Sequence, residues 1–223
     1  MKPNVKLAET VTPDGAHFAL YEHDGTYCIR VDGEELMHSS IAASELLLGQ
    51  LVTERLAGHD KPCVLIGGLG LGFTLRAVLE STEADAIIQV SELMPEVVAW
   101  NREFLGDLNG NLLDDPRVRL FIEDVWHVLA RAGQSRFDAI IMDVDNGPSA
   151  MVQKENARIY DRAGLMKISA ALRPGGRVAF WSARPDHAFA DRLSDCGFEV
   201  SIVPAKLYAN AKRCAYTIFV ADK

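Results

Sequence analysis

The sequence has no long apolar run, no closely spaced cysteine pair, no histidine cluster and no excess of positive charge. Each absence removes a class of function. Its apolar stretches, such as Ile41 to Leu48, are interrupted by Ser44 and Glu45 and fall far short of the roughly 20 residues that a membrane span needs. The start, Met1-Lys2-Pro3-Asn4-Val5-Lys6, leads towards Glu9 and Asp14 rather than into an apolar signal core, so no membrane partner and no secretory leader are expected. The four cysteines, Cys28, Cys63, Cys196 and Cys214, form no C-x-x-C pair and read as reduced thiols of a cytoplasmic protein. Six histidines supply no H-E-x-x-H or other short-spaced ligand set, so no metal is expected. A net charge of −8 argues against coating a phosphate backbone, which excludes duplex DNA as a partner.

What is present is a chain of 223 residues, 48% hydrophobic and 24% charged, enough for one large domain with a small appendage. Near the start, His17–Tyr21 and Thr26–Val31 flank Asp24-Gly25, which predicts a β-hairpin, with a second turn at Asp32-Gly33. Ser39 or Ser40 is placed to cap a helix running to about Ala57, stopped by Gly58. From Lys61 the pattern alternates. Apolar strands are expected at 63–67, 86–91, 117–122, 137–143 and 177–181, with helices at 73–80, from Pro95, after Asp124, at 156–172 and at 186–196. Two closing strands, 198–203 and 215–221, follow. Alternation with nearly continuous apolar strands predicts a doubly wound α/β sheet, in which ligands sit beyond the carboxyl ends of the strands.

The residues just past those ends are therefore the candidates. Gly67-Gly68-Leu69-Gly70-Leu71-Gly72-Phe73 follows the first sheet strand; it fits a backbone that approaches a ligand closely, or simply a tight turn. Phe73 stands where the dinucleotide pattern G-x-G-x-x-G needs its last glycine, which disfavours a nicotinamide oxidoreductase and favours a nucleoside ligand without a pyrophosphate. Glu92 follows the second strand, placed to accept from both ribose hydroxyls or to sit in solvent. Asp124 follows the third, as an acceptor for an adenine amine, as a helix N-cap, or as both. The fourth strand ends in Met142-Asp143-Val144-Asp145-Asn146-Gly147-Pro148. Asp145 or Asn146 fits an Asx turn before Gly147-Pro148, but Asp143 does not, and a carboxylate at the mouth of an apolar strand is a plausible base. Trp100 reads as helix packing.

The order of glycine loop, Glu92, Asp124 and Asp143 resembles the class I S-adenosylmethionine-dependent methyltransferase fold, and more narrowly the spermidine synthase (polyamine aminopropyltransferase) family. The matching stretches are Val64–Gly68 with Thr74–Leu79, Ser91–Val98, Asp115–Val118, Glu123-Asp124, Phe137–Asp143, Tyr160 and Leu172–Gly176. The resemblance implies a Rossmann-like seven-stranded sheet with its last strand antiparallel, in a domain spanning 36–223 after a small hairpin region at 1–35. It implies that Gly67, Gly68, Leu69, Gly70 and Gly72 wrap a nucleoside thioether, that Glu92 holds the ribose hydroxyls and Asp124 the adenine amine, and that Leu93, Val125 and Asp143 also contact the cofactor. Asp143 would serve as base or amine-orienting group, assisted by Asp145, with Asn146, Tyr160 and His38 near an amine acceptor. A homodimer through the amino-terminal hairpin is also implied.

Two departures stand out. Leu71 occupies the loop position where the family carries an aspartate that holds the donor's amine, and the family's D-x-x-D-P after the fourth strand is absent. Leu71 makes S-adenosylmethionine as acceptable a donor as its decarboxylated form. The expected activity is thus alkyl transfer, of an aminopropyl or a methyl group, to an amine. A non-catalytic nucleoside-binding protein is the alternative from another class.

Overall fold

The computed structural model describes residues 3–12, 15–144 and 156–223. Four strands open the chain: β1 (Val5–Val11), β2 (His17–His23), β3 (Thr26–Val31) and β4 (Glu34–His38), paired in that order as an antiparallel meander. The expected hairpin is its central pair. The meander gains a further strand on either side; Asp24-Gly25, between β2 and β3, and Asp32-Gly33, between β3 and β4, both adopt positive φ, the mark of type I′ turns that match strand twist.

The second sheet has seven strands: β5 (Cys63–Gly67), β6 (Ile87–Glu92), β7 (Val118–Ile122), β8 (Phe137–Met142), β9 (Leu172–Ser182), β10 (Glu199–Lys206) and β11 (Cys214–Asp222). Their spatial order is β10-β11-β9-β8-β5-β6-β7, and β11 runs antiparallel to both neighbours. The sequence explains who sits where. Every residue of β5 and β8 is buried, as befits central strands covered on both faces, whereas β10, at the edge, leaves Glu199, Ser201 and Ile202 exposed.

Two helical layers cover the sheet. One face carries α1 (Ala43–Thr53), α2 (Phe73–Ser81) and α3 (Pro95–Glu103), in a core that also takes in Phe18, Leu20 and Ile29 of the meander. The other carries α5 (Val125–Ala132), α7 (Arg162–Ala171) and α8 (His187–Asp195), around Phe137, Phe180, Phe189 and Phe219. Short helices α4 (Gly106–Asn109) and α6 (Ala157–Tyr160) complete the set. The meander is docked by Phe18 stacking on Trp100 of α3 at 5.3 Å and by the Thr10 hydroxyl donating to Glu96 at 3.1 Å. Trp100 is therefore a packing residue, as its place on the helix suggested.

Three elements differ from the sequence expectation. Helix α1 begins without a side-chain cap, because Ser40 bonds the His38 imidazole and Ser39 accepts from the Tyr27 amide, and it ends at Thr53. The expected helix over 156–172 is broken at Asp161, whose carboxylate accepts from the Gly164 amide and starts a new helix. Strand β9 begins at Leu172, five residues early, since Arg173–Gly176 bulge opposite Asp138, which binds Arg173 and the Cys63 amide.

Candidate active site

The carboxyl ends of β5, β6, β7, β8 and β9, roofed by the meander and by the first turn of α1, enclose a cavity of about 240 Å³. Five of its described lining residues are acids: Glu45, Glu92, Glu123, Asp124 and Asp143. Among the described lining residues there is no lysine, arginine or histidine. A cavity of that polarity suits a cationic ligand. Its apolar wall comes from the meander, through Phe18, Ile29, Val31, Leu36 and Met37.

At one end the acids are already engaged. Glu92, buried at the end of β6, accepts from the Leu69 amide at 2.9 Å and the Met94 amide at 2.8 Å. Burial raises its pKa, and the backbone N–H groups of Met94, Leu69, Gly70 and Leu93 oppose that rise. The carboxylate thus holds the glycine loop against the start of α3. Asp124 caps α5 by accepting from the Trp126 amide at 2.8 Å, while its other oxygen pairs with Arg158 of α6. Arg158 also lies 5.3 Å from the Trp126 ring. Glu123 is paired with Arg131.

The glycine loop has internal as well as ligand-facing reasons for its composition. A Cβ on Gly68 would lie 2.1 Å from the Asp143 carbonyl, and Gly68 has a φ of +93°. Any side chain there would push β5 and β8 apart at their ends. Gly70 faces Met37 of the meander, whose sulfur would lie 3.1 Å from an added Cβ.

At the other end the acids lack cations. Asp143, just past β8, donates its backbone amide to the Gly67 carbonyl at 2.9 Å, while its carboxylate accepts from the Thr74 hydroxyl at 2.7 Å and has no ion pair among the described residues. Burial pushes its pKa up to about 6 against the pull of Thr74. Glu45, in the first turn of α1, accepts from the neighbouring Ser44 hydroxyl. Its pKa is raised to about 7, by burial first and then by repulsion from Asp143. Trp181 of β9 closes this end, its ring 4.8 Å from that of Tyr216 on β11, and the Tyr216 phenol is raised by burial and by the charges of Glu45 and Glu35.

Of the residues expected from sequence, Gly68, Leu69, Gly70, Glu92, Leu93, Asp124, Val125 and Asp143 line this cavity. Gly67 and Gly72 lie behind the wall, as the end of β5 and the cap of α2. Tyr160 does not reach the cavity. Its ring is buried 5.6 Å from Phe189 and 6.0 Å from Phe180, because the helix break at Asp161 turns α6 into the core. His38 is turned away towards Ser40, and its neighbour Met37 faces the cavity instead. Asp145 and Asn146 lie outside the described residues. The sequence reading missed Glu45, Thr74 and Trp181. Trp181 could have been found, since it stands at a strand end. Glu45 had a weaker signal, an acid interrupting the apolar run of α1.

No helix among the described residues is long and apolar enough to cross a membrane. Comparison with known proteins adds the family. The spermine/spermidine synthase domain model matches residues 34–187. The polyamine aminopropyltransferase of Pyrobaculum neutrophilum is 33% identical over 131 residues, 57% of this chain and 44% of that one. That of Mycobacterium tuberculosis is 32% identical over 124 residues, 55% of this chain and 23% of that one. The chain thus spans less than half of the length of these curated relatives. Spermidine synthase from Thermotoga maritima superposes with a TM-score of 0.75 at 18% identity, over 98% of this chain and 72% of that one. A spermidine synthase bound to the transition-state analogue AdoDATO superposes at 0.78 with 19% identity, over 98% and 73%. At those identities the superpositions speak for the fold, and the domain match over more than half of the chain settles the rest: this chain belongs to the spermine/spermidine synthase family.

Proposed function

We propose that the chain is an aminopropyltransferase that takes decarboxylated S-adenosylmethionine as donor and an amine as acceptor. The observation that carries this reading is the cavity lining: five acids, no described cation, and at one end an Asp143 that no described cation neutralises. A sulfonium donor bearing a primary ammonium, and an acceptor that arrives as an ammonium, both bring positive charge to such a lining. Full S-adenosylmethionine would bring a carboxylate among these acids, where no described lysine or arginine meets it. That charge balance outweighs the permissiveness of Leu71, and methyl transfer loses its support.

In this reading Glu92 and Asp124 hold the adenosine, through the ribose hydroxyls and the adenine amine, while Leu69, Gly70 and Leu93 form the walls around it. Asp143 takes one proton from the acceptor ammonium. The freed nitrogen lone pair then attacks the propyl carbon beside sulfur, the carbon–sulfur bond breaks towards sulfur, and neutral methylthioadenosine leaves. A carboxyl group with a pKa near 6 is well matched to that proton transfer at neutral pH. Thr74 fixes the carboxylate so that its free oxygen faces the cavity. Apolar residues from the meander keep water from the electrophilic carbon.

The test is turnover with a panel of primary amines and either donor, followed by chromatography. Release of methylthioadenosine with the decarboxylated donor alone is the expected result. Release of S-adenosylhomocysteine with a methylated amine would replace this reading by methyl transfer, and turnover with neither donor would leave a binding protein.

A further inference from the structure

One acid in the cavity is left without a task by that scheme. Glu92 is held by two backbone amides, Asp124 by Arg158 and the Trp126 amide, Glu123 by Arg131, and Asp143 serves the acceptor. Glu45 alone remains, with no ion pair among the described residues and only the Ser44 hydroxyl and its own backbone amide as partners. The donor likewise brings one group not yet provided for, the primary ammonium at the end of its propyl chain. The glycine loop offers that group only the apolar Leu71, which is buried in the cavity wall.

The fold carries Glu45 to that spot. Helix α1 packs along α2 so closely that a Cβ on Gly49 would come within 2.6 Å of the Ala77 Cβ and 3.1 Å of the Thr74 carbonyl. Glu45 lies one helical turn before Gly49, so it sits beside the first turn of α2, next to Leu71, Phe73 and Thr74. Thr74 in turn bonds Asp143, and the charge of Asp143 is felt at Glu45. The loop tip, the base and Glu45 therefore surround one small volume, closed by Trp181.

We propose that Glu45 binds the primary ammonium of the decarboxylated donor, so that helix α1 supplies the carboxylate that the glycine loop lacks at Leu71. This rests on the aminopropyltransferase reading. It makes Glu45 a specificity-determining residue for the donor: its charge attracts the ammonium and repels the carboxylate of full S-adenosylmethionine.

The experiment compares calorimetric affinities at pH 8 for decarboxylated S-adenosylmethionine, S-adenosylmethionine and methylthioadenosine, which shares the nucleoside but has no ammonium. In Glu45→Gln the decarboxylated donor is expected to weaken about tenfold to a hundredfold, the loss of one charge-assisted hydrogen bond. Methylthioadenosine should change less than about twofold, and S-adenosylmethionine should tighten. An unchanged ratio of decarboxylated donor to methylthioadenosine overturns the proposal, and so does a parallel loss of both, which would make Glu45 a structural support of α1. A wild-type protein that binds methylthioadenosine at least as tightly as the decarboxylated donor overturns it too. Should the amide variant not fold, Glu45→Asp reads the same ratio with the charge kept; setting the carboxylate back by one methylene should lower it several-fold, and no change overturns the proposal. The affinity ratio is read by calorimetry and transfer by the separate amine-panel assay, so the two readings fail separately. A chain that shifts this ratio but transfers nothing loses the transferase reading alone, and one that transfers with an unshifted ratio loses Glu45 alone.

Discussion

The two ends of the cavity are built from the same chemical groups in opposite states. At the Glu92–Asp124 end each carboxylate is already satisfied by backbone amides or a guanidinium, and the acids there also do structural work. At the Asp143–Glu45 end each carboxylate has a hydroxyl as its one side-chain partner and no cation among the described residues; burial raises both pKa values, and the charge of Asp143 raises that of Glu45 further. A satisfied acid is a rigid acceptor for a neutral ligand. An unsatisfied one stores unfavourable desolvation that a cation relieves, and it can take up a proton near neutral pH. On the proposed function, the contrast sets acids that hold a neutral nucleoside apart from acids that meet cations, and each variant below tests one side of it.

The largest effect belongs to Asp143. Asp143→Asn keeps the acceptor for Thr74 but removes the base, and transfer should fall by about 10²–10⁴-fold. Methylthioadenosine affinity, read by calorimetry, should stay within about twofold. Equal losses in both would erase the difference between the two ends.

The same substitution should stabilise the fold, with a sign set by the raised pKa. The folded protein holds the Asp143 proton up to about pH 6, whereas the unfolded chain releases it near the ordinary 3.8. Stability from this group is therefore full below about pH 4, falls as the pH rises to about 6, and stays low above. The penalty at pH 8 is on the order of 2–3 kcal/mol. Denaturant titration should show Asp143→Asn more stable than the parent at pH 8, with that gain gone at pH 4. A variant less stable at pH 8 would mean that the carboxylate is compensated after all.

Glu92→Gln attacks the satisfied end. The amide can accept from only one of the Leu69 and Met94 amides and turns a donor towards the other, which should cost about 1–3 kcal/mol of stability. Methylthioadenosine should bind about tenfold more weakly, while bound donor still turns over. A fall in kcat larger than the fall in affinity would place Glu92 with the chemistry instead.

How much of this was legible beforehand follows from where each signal lives. The doubly wound sheet was plain in the apolar strands, and Glu92, Asp124 and Asp143 were found by one rule, that ligands gather past strand ends. Glu45 obeys no such rule. It reaches the cavity because Gly49 lets α1 lie close on α2, a tertiary contact with no local signature. Met37 and Phe18 are cavity wall only because the meander docks on Trp100, and an isolated strand pattern does not say what a sheet will cover. Tyr160 was misplaced for a local reason: Asp161 ends one helix and caps another, and that turn sends the ring into the core beside Phe189.

The smallest effect sharpens the satisfied end most. Arg158 occupies the Asp124 oxygen that does not cap α5, and it packs against Trp126, whose ring Lys167 also approaches at 4.9 Å. An adenine amine seeking Asp124 must share that oxygen with the guanidinium. In Arg158→Gln the lost ion pair is partly exposed, so with its ring contact it should cost the fold only about 1 kcal/mol. Methylthioadenosine affinity should rise several-fold because Asp124 is then free to accept from the amine. Methylthioinosine, which has no exocyclic amine, separates the causes: its affinity should not move. If both nucleosides gain equally, Arg158 merely narrows the cavity, and if methylthioadenosine loses affinity, Arg158 aims Asp124 and the guanidinium belongs to the binding site itself.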